Sequence, residues 1–395
     1  MAWFARQPKW KAPKDLVPWD NRLAITAFSE KDWWTLGDAY EGTVVFGATG
    51  AGKTSGPGKH IARQLLRTHM GGLVLTVKPD EADAWEAHAE AAGKSEFVMR
   101  VRPGGEYRFN FLQYASRRPG AEIGLAENLA DLITTLGRAD GSGGDAKRTG
   151  DAYWDQALKQ LVRNVVSVLH IAEGEITLDS LMGVIATLPE DPEHATEIEW
   201  QQRTTAGQMF QKLRSLELDA KRERSLRVGA EFLLQEFPAL DPRTRSSIVS
   251  TLTTLLDPFR HGEAYELFCT DCTIIPEACR LGAIVILDLD LKTYGAFGRL
   301  GQVLFKWFVQ QSVERDKIDA KTRGMFIYAD EAQEFLTTED KRFQATARSA
   351  RVATVYLTQN LPALQARLGN EAEVHGLLGN LQTKIFCQNA DPSTN

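Results

Sequence analysis

The sequence contains no apolar run of the roughly 20 residues that a membrane-spanning helix needs. The residues that follow Met1 also lack the apolar core of a secretory signal. Four cysteines among 395 residues are too few for a disulfide framework. These absences disfavour membrane-embedded and secreted proteins, and we expect a cytoplasmic location.

An excess of positive charge is also missing. The formal net charge is −6 at pH 7, whereas a nucleic-acid-binding protein usually carries a basic footprint. The hydrophobic and charged fractions, 43% and 25%, are ordinary for a globular protein. Any DNA contact must therefore come from local basic patches, for example where oligomerisation concentrates them in a pore.

Six short apolar runs predict buried parallel strands. They are Thr43–Phe46, Leu73–Val77, Ala283–Leu287, Met325–Ala329, Val352–Leu357 and Lys384–Cys387. Helical patterns separate some of these runs, which indicates βαβ units. The sequence therefore predicts an α/β fold whose mostly parallel sheet is covered on both faces.

The middle of the chain has helical apolar stripes and no convincing strand. Its stripes include Leu125 to Leu136, Trp154 to Leu169 and Ile248 to Leu256. We therefore expect an N-terminal extension (1–40), an α/β domain in two parts (41–118 and 263–395) and an all-α insertion (119–262). Because no helix follows the last strand, we also expect the α/β domain to be cut at its C-terminal end.

A phosphate-binding loop is predicted at Gly47–Thr54, because G-A-T-G-A-G-K-T matches the pattern G-x-x-x-x-G-K-[ST]. The loop follows a predicted strand and precedes a helical stripe, which makes a chance glycine-rich turn the weaker interpretation. Its backbone N–H groups would surround phosphate, with Lys53 at the β- and γ-oxygens and the Thr54 hydroxyl on Mg²⁺. The expected nucleotide-binding residues are Gly47, Ala48, Thr49, Gly50, Ala51, Gly52, Lys53, Thr54 and Ser55.

Two carboxylates, Asp330 and Glu331, follow the apolar run Met325–Ala329. At the carboxyl end of a parallel strand they would lie beside the phosphate-binding loop. Asp330 would then hold Mg²⁺, and Glu331 would orient and deprotonate the attacking water. The alternative, a solvated strand end, is less favoured once the loop is present. The sequence thus predicts a Mg-ATP-hydrolysing site.

Polar side chains near the next strand are further candidates. Gln359 follows the run Val352–Leu357 at the predicted end of the strand and would sense the γ-phosphate. The alternative is a plain polar strand end. Arg348 and Arg351 precede that run. Either is a candidate arginine finger for a neighbouring subunit's nucleotide, although surface arginines are common.

Two further clusters have plainer interpretations. Cys269, Cys272 and Cys279 lack a fourth ligand at zinc-site spacing, so we expect ordinary thiols. The basic stretches Lys221–Arg227 and Arg243–Arg245 could meet DNA phosphates or an acidic partner. A solvated helix face is the more common arrangement for such stretches.

Together these motifs resemble the conjugative coupling proteins of type IV secretion systems, which belong to the FtsK/HerA-like DNA-pumping ATPases. The stretches that carry the resemblance are Gly47–Pro57, Thr76–Asp80, Arg108–Leu112, Tyr153–Asp155, Ala329–Ala332 and Thr358–Asn360. Phe111 stands where the family usually has proline. We do not expect any stretch of this sequence to be the transmembrane anchor that is common in the family.

The resemblance implies a RecA-like domain that assembles as a ring and contacts DNA mainly through pore-facing residues. It implies a homohexamer whose all-α insertion recruits a relaxase-DNA substrate. In this family a finger arginine precedes the sensor glutamine, which fits Arg348 best. Membrane contact would need another segment or a partner at the inner face of the membrane.

Two alternatives remain open at this point. A chromosomal or repair-associated DNA translocase would carry the same ATPase motifs. A nucleotide-switched module that recruits secreted proteins would also bind ATP but would not move DNA.

Overall fold

The structure is a computed structural model that describes residues 19–118, 124–139, 151–389 and 391–394. The chain divides between Tyr107 and Arg108 and again between Cys272 and Thr273. The two outer parts form one compact unit, here called the sheet unit, and Arg108–Cys272 forms the helical unit. This division matches an α/β domain interrupted by an all-α insertion.

The described residues form nine strands and seventeen α-helices. The strands are β1 (Ala24–Ala27), β2 (Trp33–Thr35), β3 (Thr43–Phe46), β4 (Gly71–Leu75), β5 (Val98–Val101), β6 (Ile284–Leu287), β7 (Met325–Ala329), β8 (Val352–Thr358) and β9 (Thr383–Phe386). The helices are α1 (Leu36–Tyr40), α2 (Lys59–Arg67), α3 (Glu81–Ala91), α4 (Phe111–Arg117), α5 (Leu125–Ala139), α6 (Asp151–Glu173), α7 (Leu178–Ala186), α8 (Ile198–Arg203), α9 (Thr205–Arg214), α10 (Ala220–Glu231), α11 (Pro242–Leu256), α12 (Gly262–Cys269), α13 (Glu277–Arg280), α14 (Leu291–Glu314), α15 (Thr338–Ala347), α16 (Leu361–Leu368) and α17 (Glu371–Gly379).

Seven of the strands form one parallel sheet in the order β5-β6-β4-β7-β8-β3-β9. β8 therefore lies between β3 and β7, with Phe46 opposite Thr358 and Ala329 opposite Tyr356. Because all strands run the same way, the segments after β3, β7 and β8 leave at one edge of the sheet. The predicted α/β fold with a parallel sheet is confirmed.

The strand predictions did not include β1, β2 or β5, and they placed the end of β4 two residues too late. The predicted strand Leu73–Val77 ends at Leu75, because Thr76 hydrogen-bonds to the side chain of Gln302 and to the Leu287 carbonyl. β5 was not predicted, since its four residues include Arg100 and offer little apolar pattern. Arg100 instead forms ion pairs beside the sheet.

The segment before β3 belongs partly to the core of the sheet unit. β1 and β2 pair antiparallel, and α1 follows with a capping box formed by Thr35 and Asp38. Trp34, Leu36 and Tyr40 are buried against the sheet. The range 1–40 was expected to be an extension, but its last part is a packed piece of this unit.

The helical unit has its own core. The apolar stripes predicted on α5, α6 and α11 are mostly buried, except that Trp154 is exposed. The unit extends beyond the expected range 119–262 at both ends, because α4 packs with the segment around α12. There the Asn110 amide donates to the Cys269 carbonyl at 2.9 Å. Among the described residues, no helix combines the length and apolar content needed to cross a lipid bilayer.

Candidate active site

The Gly47–Thr54 segment forms a tight loop at the carboxyl edge of the sheet. Gly50 and Gly52 have φ angles of 78° and 82°, a region that glycine enters without a Cβ clash. The Gly47 N–H donates to the Thr358 carbonyl at 3.1 Å, and the Ala48 N–H donates to the Gln388 carbonyl at 3.0 Å. The loop is thus fixed to the chain that leaves β8 and β9.

The loop continues directly into a helix. A π-helical turn covers Thr54–Gly58 and passes into α2. This strand-loop-helix order points backbone N–H groups and the positive end of a helix at one spot, an arrangement suited to phosphate. All nine predicted nucleotide-binding residues lie in this loop and its first helical residues.

Lys53 and Glu331 come together although 278 residues separate them. The Lys53 Nζ atom donates to Glu331 Oε1 at 2.7 Å, and the side chains are only 7% and 12% exposed. A pair with so little solvent around it interacts strongly. The loop lysine and the carboxylate predicted to act as base are therefore in direct contact.

Thr54 and Asp330 form the second contact between the loop and β7. The Thr54 hydroxyl donates to Asp330 Oδ2 at 2.5 Å. Two oxygen atoms thus converge at the mouth of the loop, and Mg²⁺ prefers such oxygen ligands. The residues predicted to hold the metal fit that role.

Glu331 is held in an unusual backbone conformation. Its φ and ψ are 47° and 50°, the left-handed region that a non-glycine residue seldom adopts. Its N–H donates to Asp330 Oδ1 at 2.9 Å. Such conformations concentrate at functional sites, where the surroundings maintain them. Here the turn directs the two consecutive carboxylates toward the loop.

Two glutamine side chains position the Glu331 carboxylate. Gln333 Nε2 donates to Glu331 Oε2 at 2.8 Å, and Gln359 Nε2 donates to the same atom at 3.3 Å. Thr358 in turn donates to Gln333 Oε1 at 2.8 Å. Burial raises the pKa of Glu331, but the bonds from Lys53 and Gln333 outweigh it and hold that pKa below its ordinary value. Glu331 is therefore charged at neutral pH.

Sequence reasoning identified Gln359 and missed Gln333. Gln359 follows a strand, which is a recognisable position, whereas Gln333 lies in the short turn after the acidic pair. The only signal was an amide two residues from a carboxylate, and many surface turns share that pattern.

A cavity of about 700 Å³ opens at this edge of the sheet unit. It is lined by the phosphate-binding loop, by the acidic pair and by Gln359, and it extends to Lys78 and Glu81 after β4. Burial lowers the pKa of Lys78, but the carboxylates of Asp330 and Glu81 raise it above its ordinary value. The cavity therefore contains, beside the acidic pair, a charged lysine that sequence reasoning did not select as a site residue.

Arg348 lies away from this cavity. It follows α15 and precedes β8, so the length of β8, about 20 Å, separates it from Gln359. Its guanidinium contacts Glu41 at 2.9 Å, and its side chain is 66% exposed. Arg351 donates to the Thr322 carbonyl at 2.8 Å and is half-buried. Neither arginine reaches the nucleotide site of its own chain.

The three neighbouring cysteines behave as thiols inside the fold. Cys269 donates to the Phe259 carbonyl at 3.4 Å, and burial raises the pKa of its thiol to about 12. Cys272 donates to the Asn110 carbonyl at 3.1 Å, and Cys279 is fully buried. Burial raises the pKa of these two thiols as well.

Comparison with solved structures shows the fold. The chain is similar to the bacterial conjugative coupling protein TrwBdeltaN70 in complex with sulphate, at 13% identity and a TM-score of 0.61 over 97% of this chain and 80% of that chain. It is also similar to the plasmid coupling protein TrwB with ADP and Mg²⁺ (14%, TM-score 0.56, 91% and 74% covered) and with the ATP analogue ADPNP (15%, 0.57, 91% and 73%). A search of curated protein sequences finds no match.

The family comparison covers nearly the whole chain. A family model described as type IV secretory system conjugative DNA transfer matches residues 10–394. The match includes the phosphate-binding loop, the acidic pair and the helical unit between them. By this match, together with the sheet order and the site that it assembles, the chain belongs to the type IV secretory system conjugative DNA transfer family.

Proposed function

We propose that this chain is an ATP-hydrolysing motor of the conjugative coupling-protein type, which drives DNA through a type IV secretion system. The observation that carries the proposal is the direct contact of Lys53 and Thr54 with Glu331 and Asp330. These four side chains meet where a triphosphate would lie at the mouth of the loop. The family match and the fold shared with nucleotide-bound TrwB structures support it.

Each residue of the site has a separate role in ATP hydrolysis. The loop N–H groups and Lys53 bind the phosphates, and Lys53 then moves away from Glu331, which breaks their ion pair. The freed Glu331 carboxylate accepts a proton from water, whose oxygen attacks the γ-phosphorus as the bond to the β-phosphate oxygen breaks. Gln359 and Gln333 orient that carboxylate. Asp330 and Thr54 would hold Mg²⁺, which neutralises charge on the phosphate oxygens.

The partners follow from the same proposal. Turnover in a homohexameric ring would push DNA through the pore, with local basic groups contacting phosphates despite the net charge of −6. The helical unit would recruit the relaxase-DNA substrate. The ring would act on the cytoplasmic side of the membrane and contact it through another segment or a partner.

The test is phosphate release by the purified chain with and without single-stranded DNA. We expect DNA to raise ATP turnover several-fold and Glu331→Gln to remove turnover in both conditions. ATP binding without DNA-stimulated turnover would contradict the motor and favour a nucleotide-switched recruitment module.

A further inference from the structure

The chain segment that follows β4 is fixed beside the nucleotide cavity. The fully buried Gln302 on α14 accepts from the Thr76 N–H at 2.7 Å and donates to the Thr76 carbonyl at 2.8 Å. The Thr76 hydroxyl donates to the Leu287 carbonyl at 2.7 Å. β4 also pairs with β7, the strand that carries the acidic pair. The residues that follow Thr76 are therefore held in a fixed position next to Asp330.

Lys78 is the positively charged residue of the segment that follows Thr76. Its side chain lines the same cavity as Lys53, Asp330 and Glu331 and remains 41% exposed. The carboxylates of Asp330, Glu81 and Glu331 favour its charged form over the effect of burial. Lys78 is thus a charged group on the side of the acidic pair away from β8.

The nearest carboxylate to Lys78 is Glu81, and the contact is long. Lys78 Nζ lies 3.5 Å from Glu81 Oε1. The other oxygen, Glu81 Oε2, accepts from the backbone N–H groups of Val77 and Lys78 at 2.6 and 3.2 Å. Glu81 is therefore anchored to the turn by its backbone contacts, and the Lys78 ammonium can rotate toward an anion in the cavity without releasing that turn.

We propose that Lys78 is a second cation from the same chain that contacts the γ-phosphoryl group of ATP. The inference rests on the proposed ATP hydrolysis and adds a catalytic residue to it. Charge develops on the γ-phosphoryl oxygens during transfer, and preorganised cations stabilise that charge. Lys53 approaches from the loop and Lys78 from the end of β4. Because ADP has no γ-phosphate, Lys78 also distinguishes ATP from ADP.

The experiment compares Lys78→Met, Lys78→Gln and Lys78→Arg with Lys59→Met in the full chain. Lys59 lines the same cavity but lies beside His88 rather than beside the acidic pair. The measurements are the affinities for ADP and for a non-hydrolysable ATP analogue, and the turnover number for ATP.

We expect Lys78→Met and Lys78→Gln to lower the turnover number about 100- to 1,000-fold, the usual cost of one removed charge-stabilising donor. Both should weaken binding of the ATP analogue and leave the affinity for ADP unchanged. Lys78→Arg should retain part of the turnover and part of the affinity for the analogue. Lys59→Met should change neither the turnover number nor the affinity for the analogue. Equal changes in ADP and analogue affinity, or unchanged turnover, would overturn the assignment. The affinity ratio is measured without hydrolysis, so it tests Lys78 even if the unmodified chain turned out not to hydrolyse ATP.

Discussion

At the scale of single residues, Lys53 and Glu331 are mutually compensating charges. Their contact of 2.7 Å neutralises both groups in a largely buried site, where an unpaired charge is costly. A triphosphate offers Lys53 a more highly charged partner, so nucleotide binding and the release of Glu331 are coupled. Glu331 therefore remains paired with Lys53 until ATP binds.

This coupling separates the expected effects of two substitutions. Lys53→Ala should abolish ATP binding, because the loop loses its only side-chain cation for the β- and γ-oxygens. Glu331→Gln should retain ATP binding and lower turnover at least about 100-fold, because an amide cannot accept the proton of water. Calorimetry with a non-hydrolysable analogue and phosphate release measure the two quantities. Equal loss of affinity in both variants would contradict this division of roles.

At the scale of elements, a buried polar cluster joins α14, α15 and β8 behind the acidic pair. Lys306 and Asp340 are 1% and 0% exposed and approach to 2.6 Å. Gln310 and Tyr356 also donate to Asp340, at 2.8 and 3.0 Å. Burial alone would raise the pKa of Asp340, but the Lys306 ammonium, the Thr337 N–H and the Gln310 amide hold it below its ordinary value.

The cluster also fixes the turn that follows Glu331. Lys306 donates to the Phe335 carbonyl at 2.9 Å, and Asp340 accepts from the Thr337 N–H at 2.7 Å. Gln333, which orients Glu331, lies in the same turn. The helix packing and the placement of the base therefore depend on one set of buried groups.

Removing one charge of this cluster should be costly. Lys306→Met leaves the buried Asp340 without its cation and should lower the free energy of unfolding by about 3–5 kcal/mol. The control is Lys341→Met, whose ion pair with Glu373 is partly exposed and should contribute about 1 kcal/mol or less. Urea unfolding followed by tryptophan fluorescence measures both. The cluster would not be a stabilising unit if the two variants lost equal amounts.

At the scale of the whole molecule, the sheet separates the candidate finger from the site in its own chain. Arg348 lies at the entrance of β8, whereas Glu331 and Gln359 lie at the exits of β7 and β8. We propose that Arg348 serves the nucleotide of a neighbouring chain in the ring. Its 66% exposure is compatible with that role, whereas Arg351 is held by the Thr322 carbonyl.

Mixing two inactive proteins tests this assignment. Glu331→Gln and Arg348→Ala chains should each have little activity, and an arginine supplied in trans is worth roughly 10³–10⁵ in rate. A mixture should recover part of the activity, because some interfaces then pair an intact Glu331 with an intact Arg348. Phosphate release from assembled, DNA-bound mixtures measures the recovery. If assembled Arg348→Ala protein hydrolyses ATP at the unmodified rate, Arg348 is not the finger and Arg351 becomes the candidate.

The sequence by itself determined the features that depend on short stretches of chain. The phosphate-binding loop needs glycine at Gly50 and Gly52 because positive φ angles are local requirements. The apolar runs of β3 and β7 were predicted with the bounds that the structure has, since a buried parallel strand is uniformly apolar. Asp330 and Glu331 were recognisable because they end such a strand.

The tertiary structure alone decided which of these features meet. The position of β8 between β3 and β7 brings Gln359 to Glu331 and Thr358 to Gln333, and β4 brings Lys78 to Asp330. The limits of the helical unit likewise follow from the packing of α4 near α12. Strand order and helix packing depend on how much apolar surface the entire core buries, and no short stretch of sequence determines that total.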